Sequence, residues 1–150
     1  MKRIMLYVLI LVLAWIVPTE RADIAQLRPV EVIAIYKTGD TVVMATDTDD
    51  MGIGHSAAAA LENMRSTSPA VIYLDTAEYL LIEASAEAEV DGIRHELKKA
   101  VRICSVADSV DLKSAAQYLS VHGALPSLRE WSRGQVLPLL HTENDRLKIS

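Results

Sequence analysis

The residues best suited to binding chemistry lie in one short stretch that contains Gly52, Gly54, His55 and Ser56. Glycines at the start of a helix let backbone N–H groups approach an anion, and the helix dipole favours negative charge there. The pattern therefore offers one hypothesis, a loop that binds an anion or a small molecule. The alternative is a tight turn that starts a helix and binds nothing. We favour this alternative, because the acidic residues just before the stretch would repel a phosphate.

Those acidic residues also resemble part of a calcium-binding loop. Asp47, Asp49 and Gly52 have the spacing of the first two ligands and the glycine of an EF-hand. Met51, however, occupies a ligand position, and Ala58 stands where the closing glutamate belongs. We therefore predict a solvated acidic turn and no calcium site.

No other residues have the spacing of a metal site or a catalytic site. The histidines fall on separate predicted elements and lack a His-x-x-x-His spacing; they are His55, His95, His122 and His141. Cys104 lies between Ile103 and Ser105 in an apolar stretch, which is typical of an inert core thiol. We therefore predict no catalytic residue, no metal ligand and no cofactor, and a protein that is not an enzyme.

The first half of the chain is predicted to position the glycine stretch after a β-hairpin. Residues 30–36 are rich in β-branched types and predict a strand, with a return strand over 41–46. Residues 51–56 are predicted to open a helix that runs to about Arg65. Its apolar side chains recur at the spacing of one helix face; they are Ala57, Ala60, Leu61 and Met64.

The second half alternates strands and helices. Short apolar runs predict strands buried on both faces, central in a sheet, and these cover residues 70–74 and 79–83. Another strand is predicted over 101–106. A helix over 87–99 is predicted to bury Val90, Ile93 and Leu97, and a helix over 111–121 is predicted to turn Leu112, Ala115, Ala116 and Leu119 inward. The tail after residue 124 is less regular, with a helical turn near 127–131. The order predicts a single α+β domain, with a mixed sheet packed by about three helices.

The charge composition of the chain excludes some classes of binding partner. The chain has 150 residues, of which 51% are hydrophobic, and a net charge of −5. Without Lys2 and Arg3, 13 basic residues remain against 20 acidic ones, a net of −7. This balance argues against nucleic acid and against docking on anionic lipid. The single cysteine cannot form an internal disulfide, so an exported domain would depend on its core alone.

The most apolar run of the chain extends from Ile4 to Val17, after Lys2 and Arg3 and before Pro18. Basic residues before the run and acidic ones after it favour a cytoplasmic N-terminus and a domain outside the cytoplasm. The run lacks the small residues of a cleavage site, so residues 1–18 are predicted to form an uncleaved hydrophobic signal-anchor helix. A cleaved signal peptide, with secretion of the domain, is the first alternative, and a buried core helix at the N-terminus is the second. We assign residues 19–29 to a stalk and residues 30–150 to the domain.

The order of these segments resembles the N-terminal domain of the Ger(x)C family, the C subunits of spore germinant receptors. The apolar run leads to Ile24-Ala25-Gln26-Leu27-Arg28-Pro29-Val30-Glu31-Val32-Ile33-Ala34-Ile35, and the helix over 52–64 follows after a hairpin. The later segments that carry the resemblance are Ser68-Pro69-Ala70-Val71-Ile72-Tyr73-Leu74, Tyr79-Leu80-Leu81-Ile82-Glu83, Gly92-Ile93, Val101-Arg102-Ile103 and the helix over 113–119.

The resemblance implies a non-enzymatic accessory protein on the outer face of the spore inner membrane, beside integral-membrane receptor subunits. Two features depart from the family. Pro18 and Thr19 stand where family members carry a lipobox cysteine, and the later domains of the family do not follow in these 150 residues. The resemblance assigns no ligand-binding residue to this chain.

Overall fold

The computed structural model of the protein describes residues 27–150, which form nine strands and three helices. The strands are β1 (Leu27–Pro29), β2 (Val32–Thr38), β3 (Thr41–Thr46), β4 (Met51–Gly54), β5 (Val71–Tyr73), β6 (Tyr79–Glu83), β7 (Arg102–Val106), β8 (Leu139–Glu143) and β9 (Arg146–Ile149). The helices are α1 (Ala57–Thr67), α2 (Val90–Ile93) and α3 (Leu112–His122), and short 3₁₀ segments cover Leu74–Thr76, Ala84–Glu89 and Arg94–Glu96.

Seven of the strands form one mixed sheet in the order β4-β3-β2-β6-β7-β8-β9. The four inner strands β2, β6, β7 and β8 are parallel to one another. Antiparallel pairs extend the sheet at both ends, with β3 and β4 on one side and β9 on the other. The predicted α+β domain with a mixed sheet and three helices is confirmed, and so is the hairpin of β2 and β3.

Helices cover both faces of this sheet. Side chains of a strand alternate between the faces, and the buried residues accordingly fall into two clusters. The first face packs against α1 and α2 and carries Ile33, Ile35, Leu80, Ile82 and Ile103. The second face packs against α3 and carries Val32, Ala34, Leu81, Cys104 and Val106. Two apolar layers therefore enclose the inner strands, which explains why β6 reads as an unbroken apolar run.

A side-chain cap begins each of the two longer helices, and the predicted apolar face of each helix is buried. Ser56 Oγ accepts the N–H of Ala59 in α1, and Asp111 Oδ2 accepts the N–H of Ser114 in α3. All the residues predicted to face inward are buried; they are Ala57, Ala60, Leu61 and Met64 in α1 and Leu112, Ala115, Ala116 and Leu119 in α3.

Two predicted segments differ in the structure. Leu27–Pro29, placed in the stalk, forms β1, which pairs in parallel with β5 as a separate two-stranded sheet. The predicted central strand over 70–74 is therefore peripheral, and its residues Val71 and Tyr73 are 53% and 43% exposed. The apolar run at 4–17 and most of the stalk lie outside the described residues. Within residues 27–150, no helix has both the length and the hydropathy that a membrane crossing needs.

The second predicted helix is replaced by a less regular segment. Residues 84–96 form a 3₁₀ turn, the single α-helical turn α2 and another 3₁₀ turn. Gly92 lies in the middle of this segment, and glycine disfavours a continuous helix by about 1 kcal/mol relative to alanine. The predicted apolar contacts survive, because Val90, Ile93 and Leu97 are all buried.

The tail is more regular than predicted. It ends in the hairpin of β8 and β9, whose turn residues Asn144 and Asp145 have φ of 51° and 57°. Asparagine and aspartate tolerate this conformation, which two-residue hairpin turns require. Before the hairpin, residues 126–129 run antiparallel to the amino-terminal half of β7, where the N–H of Ile103 donates to Pro126 O at 2.9 Å.

Candidate functional site

The glycine stretch does not open a helix. Met51–Gly54 is the edge strand β4, and the helix begins only at Ala57. The alternation of the strand turns Gly52 and Gly54 toward α1. A Cβ on Gly52 would lie 2.0 Å from Ala60 O, and one on Gly54 would lie 2.6 Å from the nitrogen of Ala60. Neither glycine has a positive φ. Both positions therefore require glycine because strand and helix touch backbone to backbone.

The amino end of α1 is engaged by a carboxylate of the protein itself. Glu89 Oε2 accepts the N–H of Ala57 at 3.2 Å, while Glu89 Oε1 accepts from Lys37 Nζ at 2.7 Å. The Lys37 ammonium, helped by the Ala57 N–H, holds the pKa of Glu89 below its usual value, although partial burial acts in the opposite direction. The first helical N–H that an anion would use is therefore occupied.

The four residues of the predicted loop are thus divided among different tasks. Gly52 and Gly54 contact the helix, Ser56 caps it, and His55 is exposed to solvent. The premise that the glycines surround a helix terminus was wrong, because an alternating Gly-x-Gly pattern also fits a strand that lies tightly against a helix. Ligand binding at this loop stays an untested hypothesis.

The acidic loop serves as a structural turn. Asp47 Oδ1 accepts the N–H groups of Glu31 and Val32, both at 3.0 Å. Asp50 is 8% exposed and accepts the Ser68 hydroxyl at 2.7 Å. Asp49 is paired with Lys113 across 2.6 Å. No three acidic, histidine or cysteine side chains of residues 27–150 are arranged to hold a metal ion.

A cavity of about 430 Å³ opens on the first face of the sheet, at the carboxyl ends of β6 and β7 and the amino end of β8. We call it the carboxyl-edge cavity. Its floor is one row across three parallel strands, because Ile82 pairs with Ser105 and Ser105 pairs with Leu139. Ser105 places a hydroxyl in the middle of an otherwise apolar row. That hydroxyl takes part in none of the side-chain hydrogen bonds within the described part of the chain.

The walls of the carboxyl-edge cavity come from the 3₁₀ segment after β6 and from the loop before β8. Glu87 lines the cavity, and its Oε1 accepts the N–H of Gly134 at 2.6 Å. On the same loop, Arg133 donates to Asp91 Oδ2 at 2.7 Å. Val136 stands at the cavity with 93% of its surface exposed. Two tethers therefore hold the loop over the strand ends and leave an apolar side chain in the open.

A wider cavity of about 700 Å³ lies near α2 and is lined mainly by charged side chains. Arg94, one of its cations, already donates to the carbonyl oxygens of Leu128 and Trp131, at 2.7 and 3.2 Å. The side chains of Lys99 and Arg129 are exposed to solvent. This cavity therefore offers a solvated cationic surface, whereas the carboxyl-edge cavity combines apolar walls with few polar groups.

The carboxyl-edge cavity also has the position where parallel sheets bind ligands. The segment after β6 packs on the first face of the sheet, whereas α3, which follows β7, packs on the second. The two segments therefore diverge to opposite faces beside the carboxyl ends of β6 and β7, and the carboxyl ends of strands are where open parallel sheets bind ligands. One feature of the sequence indicates this cavity, namely the polar residue Ser105 within an apolar strand. Glu87 and Gln135 could not be recognised from the sequence as cavity residues, because only the fold brings their segments together.

Comparison of the chain with family models, with curated proteins and with solved structures finds no match. The resemblance to the Ger(x)C family therefore stays a prediction, and function has to be argued from the residues.

Proposed function

We propose that this protein is a membrane-tethered accessory domain, placed outside the cytoplasm, that acts by binding another membrane protein. The observation that carries the proposal is the run of fourteen apolar residues from Ile4 to Val17, which is preceded by Lys2 and Arg3. Such a run, extended by Met1 and by basic side chains that reach the headgroups, suits an uncleaved signal anchor. The resemblance to the Ger(x)C family adds integral-membrane receptor subunits of spore germination as the partner.

The edge strand β4 is the surface that best suits a protein partner. Met51 and Ile53 are 58% and 51% exposed, and the strand carries no charged residue. The opposite edge, β9, carries Arg146 and Lys148, and charges of this kind prevent pairing with another strand. At β4 the outward N–H of Ile53 is held only by the side chain of Asn63, at 3.0 Å. A strand of the partner could take the place of that amide.

Washing of membranes at strongly alkaline pH tests the tether. We expect the full-length chain of 16.5 kDa to stay in the membrane pellet, with an N-terminus upstream of Trp15. Exchange of three leucines in the run for lysine is expected to release the protein, because lysine in a bilayer core costs about 2.5–3.5 kcal/mol per residue. Release of unaltered full-length chain by the wash, or N-terminal sequencing that starts after Trp15, would contradict the tether.

A charge on the exposed edge tests the partner surface. Ile53→Lys is expected to abolish the larger complex that the wild type forms in native gels of solubilised membranes. The matched control is Val121→Lys, since Val121 is 77% exposed but lies on α3. If both variants migrate like the wild type, β4 is not the partner surface. If both variants lose the complex, the loss follows from the added charge itself and does not support β4 as the partner surface.

A further inference from the structure

We propose that the carboxyl-edge cavity binds a small amphiphile, a molecule with an apolar body and one primary ammonium group. This inference goes beyond the proposed function, since it concerns a small ligand and makes no use of the membrane or of β4.

The shape and lining of the cavity define the body of the ligand. Ile82, Leu137 and Leu139 give it apolar walls, and its volume of about 430 Å³ falls in the range of small-molecule sites, roughly 300–1,000 Å³. Leu137 packs against the cluster of the first face. An apolar molecule would therefore extend the existing core, at about 25 cal/mol for each Å² of apolar surface removed from water.

The polar groups define the head of the ligand. Glu87 is the only charged side chain among the residues that line the cavity. Its Oε1 is used by Gly134, whereas no donor of the described residues reaches its Oε2. The Ser105 hydroxyl adds an acceptor on the floor. A carboxylate and a hydroxyl together suit a group with several N–H donors and a positive charge, and they disfavour a carboxylate or a phosphate.

Amide NMR spectra of the full chain in lipid nanodiscs test the proposal with three probes that share one apolar body. These are 2-phenylethylamine, 2-phenylethanol and 3-phenylpropionate. We expect saturable shifts of the Ser105 and Gly134 amides with the amine. The alcohol should bind about tenfold more weakly and the carboxylate more weakly still. Absence of saturable shifts with all three probes, or equal binding of the three, would overturn the proposal.

Two variants separate the head from the body of the ligand. Glu87→Gln keeps an acceptor for the Gly134 N–H but removes the charge, so the amine should bind only as well as the alcohol. Ser105→Leu should fill the cavity and abolish binding of all probes, whereas the surface control Ser120→Leu should bind as the wild type does. Glu87→Gln leaves the floor of the cavity unchanged, so it tests the site even if Ser105→Leu fails to fold. Amine binding that survives both variants at wild-type strength would refute the site.

Discussion

Exchange of Gly52 for alanine should force β4 away from α1. The new Cβ would lie 2.0 Å from the carbonyl oxygen of Ala60 and 2.7 Å from the Cβ of Met64. Ala60 and Met64 are fully buried, and the nearer atom belongs to the main chain, so no rotamer change relieves the clash. Strand and helix must separate by at least about 1 Å to restore an ordinary contact.

The cost follows from the packing of this contact. Overpacking of a core by a methyl-sized group costs about 1–3 kcal/mol, and a backbone clash belongs at or above the upper end. We therefore expect Gly52→Ala to lower the free energy of unfolding by about 3 kcal/mol. Gly92→Ala is the matched control, because the nearest atom to its Cβ is 3.9 Å away. There the same exchange should stabilise by about 0.5–1 kcal/mol, since alanine restricts the unfolded chain.

Urea unfolding of the full chain in micelles, followed by the fluorescence of the buried Trp131, measures both effects. A Trp15→Phe background leaves Trp131 as the only tryptophan. The two variants should shift the midpoint in opposite directions. Equal midpoints for Gly52→Ala and Gly92→Ala would refute the close contact between β4 and α1.

Three further predictions concern buried polar or titratable groups. Glu89→Gln should lower stability at neutral pH by about 1.5–3 kcal/mol, because the carboxylate accepts a charged hydrogen bond from Lys37. Since the folded pKa of Glu89 is lowered from its ordinary value of 4.5, this difference should be full above that ordinary value and vanish in urea titrations as the pH falls through the folded pKa. Trp131→Phe should cost less than about 1 kcal/mol in thermal unfolding followed by circular dichroism, because the buried indole N–H has no acceptor among the described residues. Burial raises the pKa of Cys104 to about 12, so iodoacetamide at mildly alkaline pH should label it only under denaturing conditions, as mass spectrometry would show.

Local patterns sufficed where one face of an element alone decides its structure. The inward residues of α3 could be predicted because Leu112, Ala115, Ala116 and Leu119 follow the helical period. The hairpin of β2 and β3 could be predicted because β-branched runs flank Gly39, which has a positive φ of 59°. In both cases neighbouring residues in the chain carry all the information.

The errors arose where distant segments decide the structure. Val71–Tyr73 is as apolar as a central strand, but β2 already pairs with β6, so β5 pairs with β1 instead. The stretch with Gly52 was wrongly assigned to a helix. It is a strand that packs tightly against α1, and this contact is tertiary and cannot be recognised from the local sequence. The carboxyl-edge cavity escaped prediction for the same reason, as its lining comes from four separate segments.

The position of residues 126–129 beside β7 has a consequence for the unfolding of the domain. The chain leaves α3 on the second face and crosses here, so that Leu128 and Trp131 join the layer of the first face. Detachment of α3 therefore pulls on both layers at once. Amide hydrogens on the two sides of β7 should exchange with deuterium in a single opening event, and partly unfolded forms that keep one layer intact should be rare.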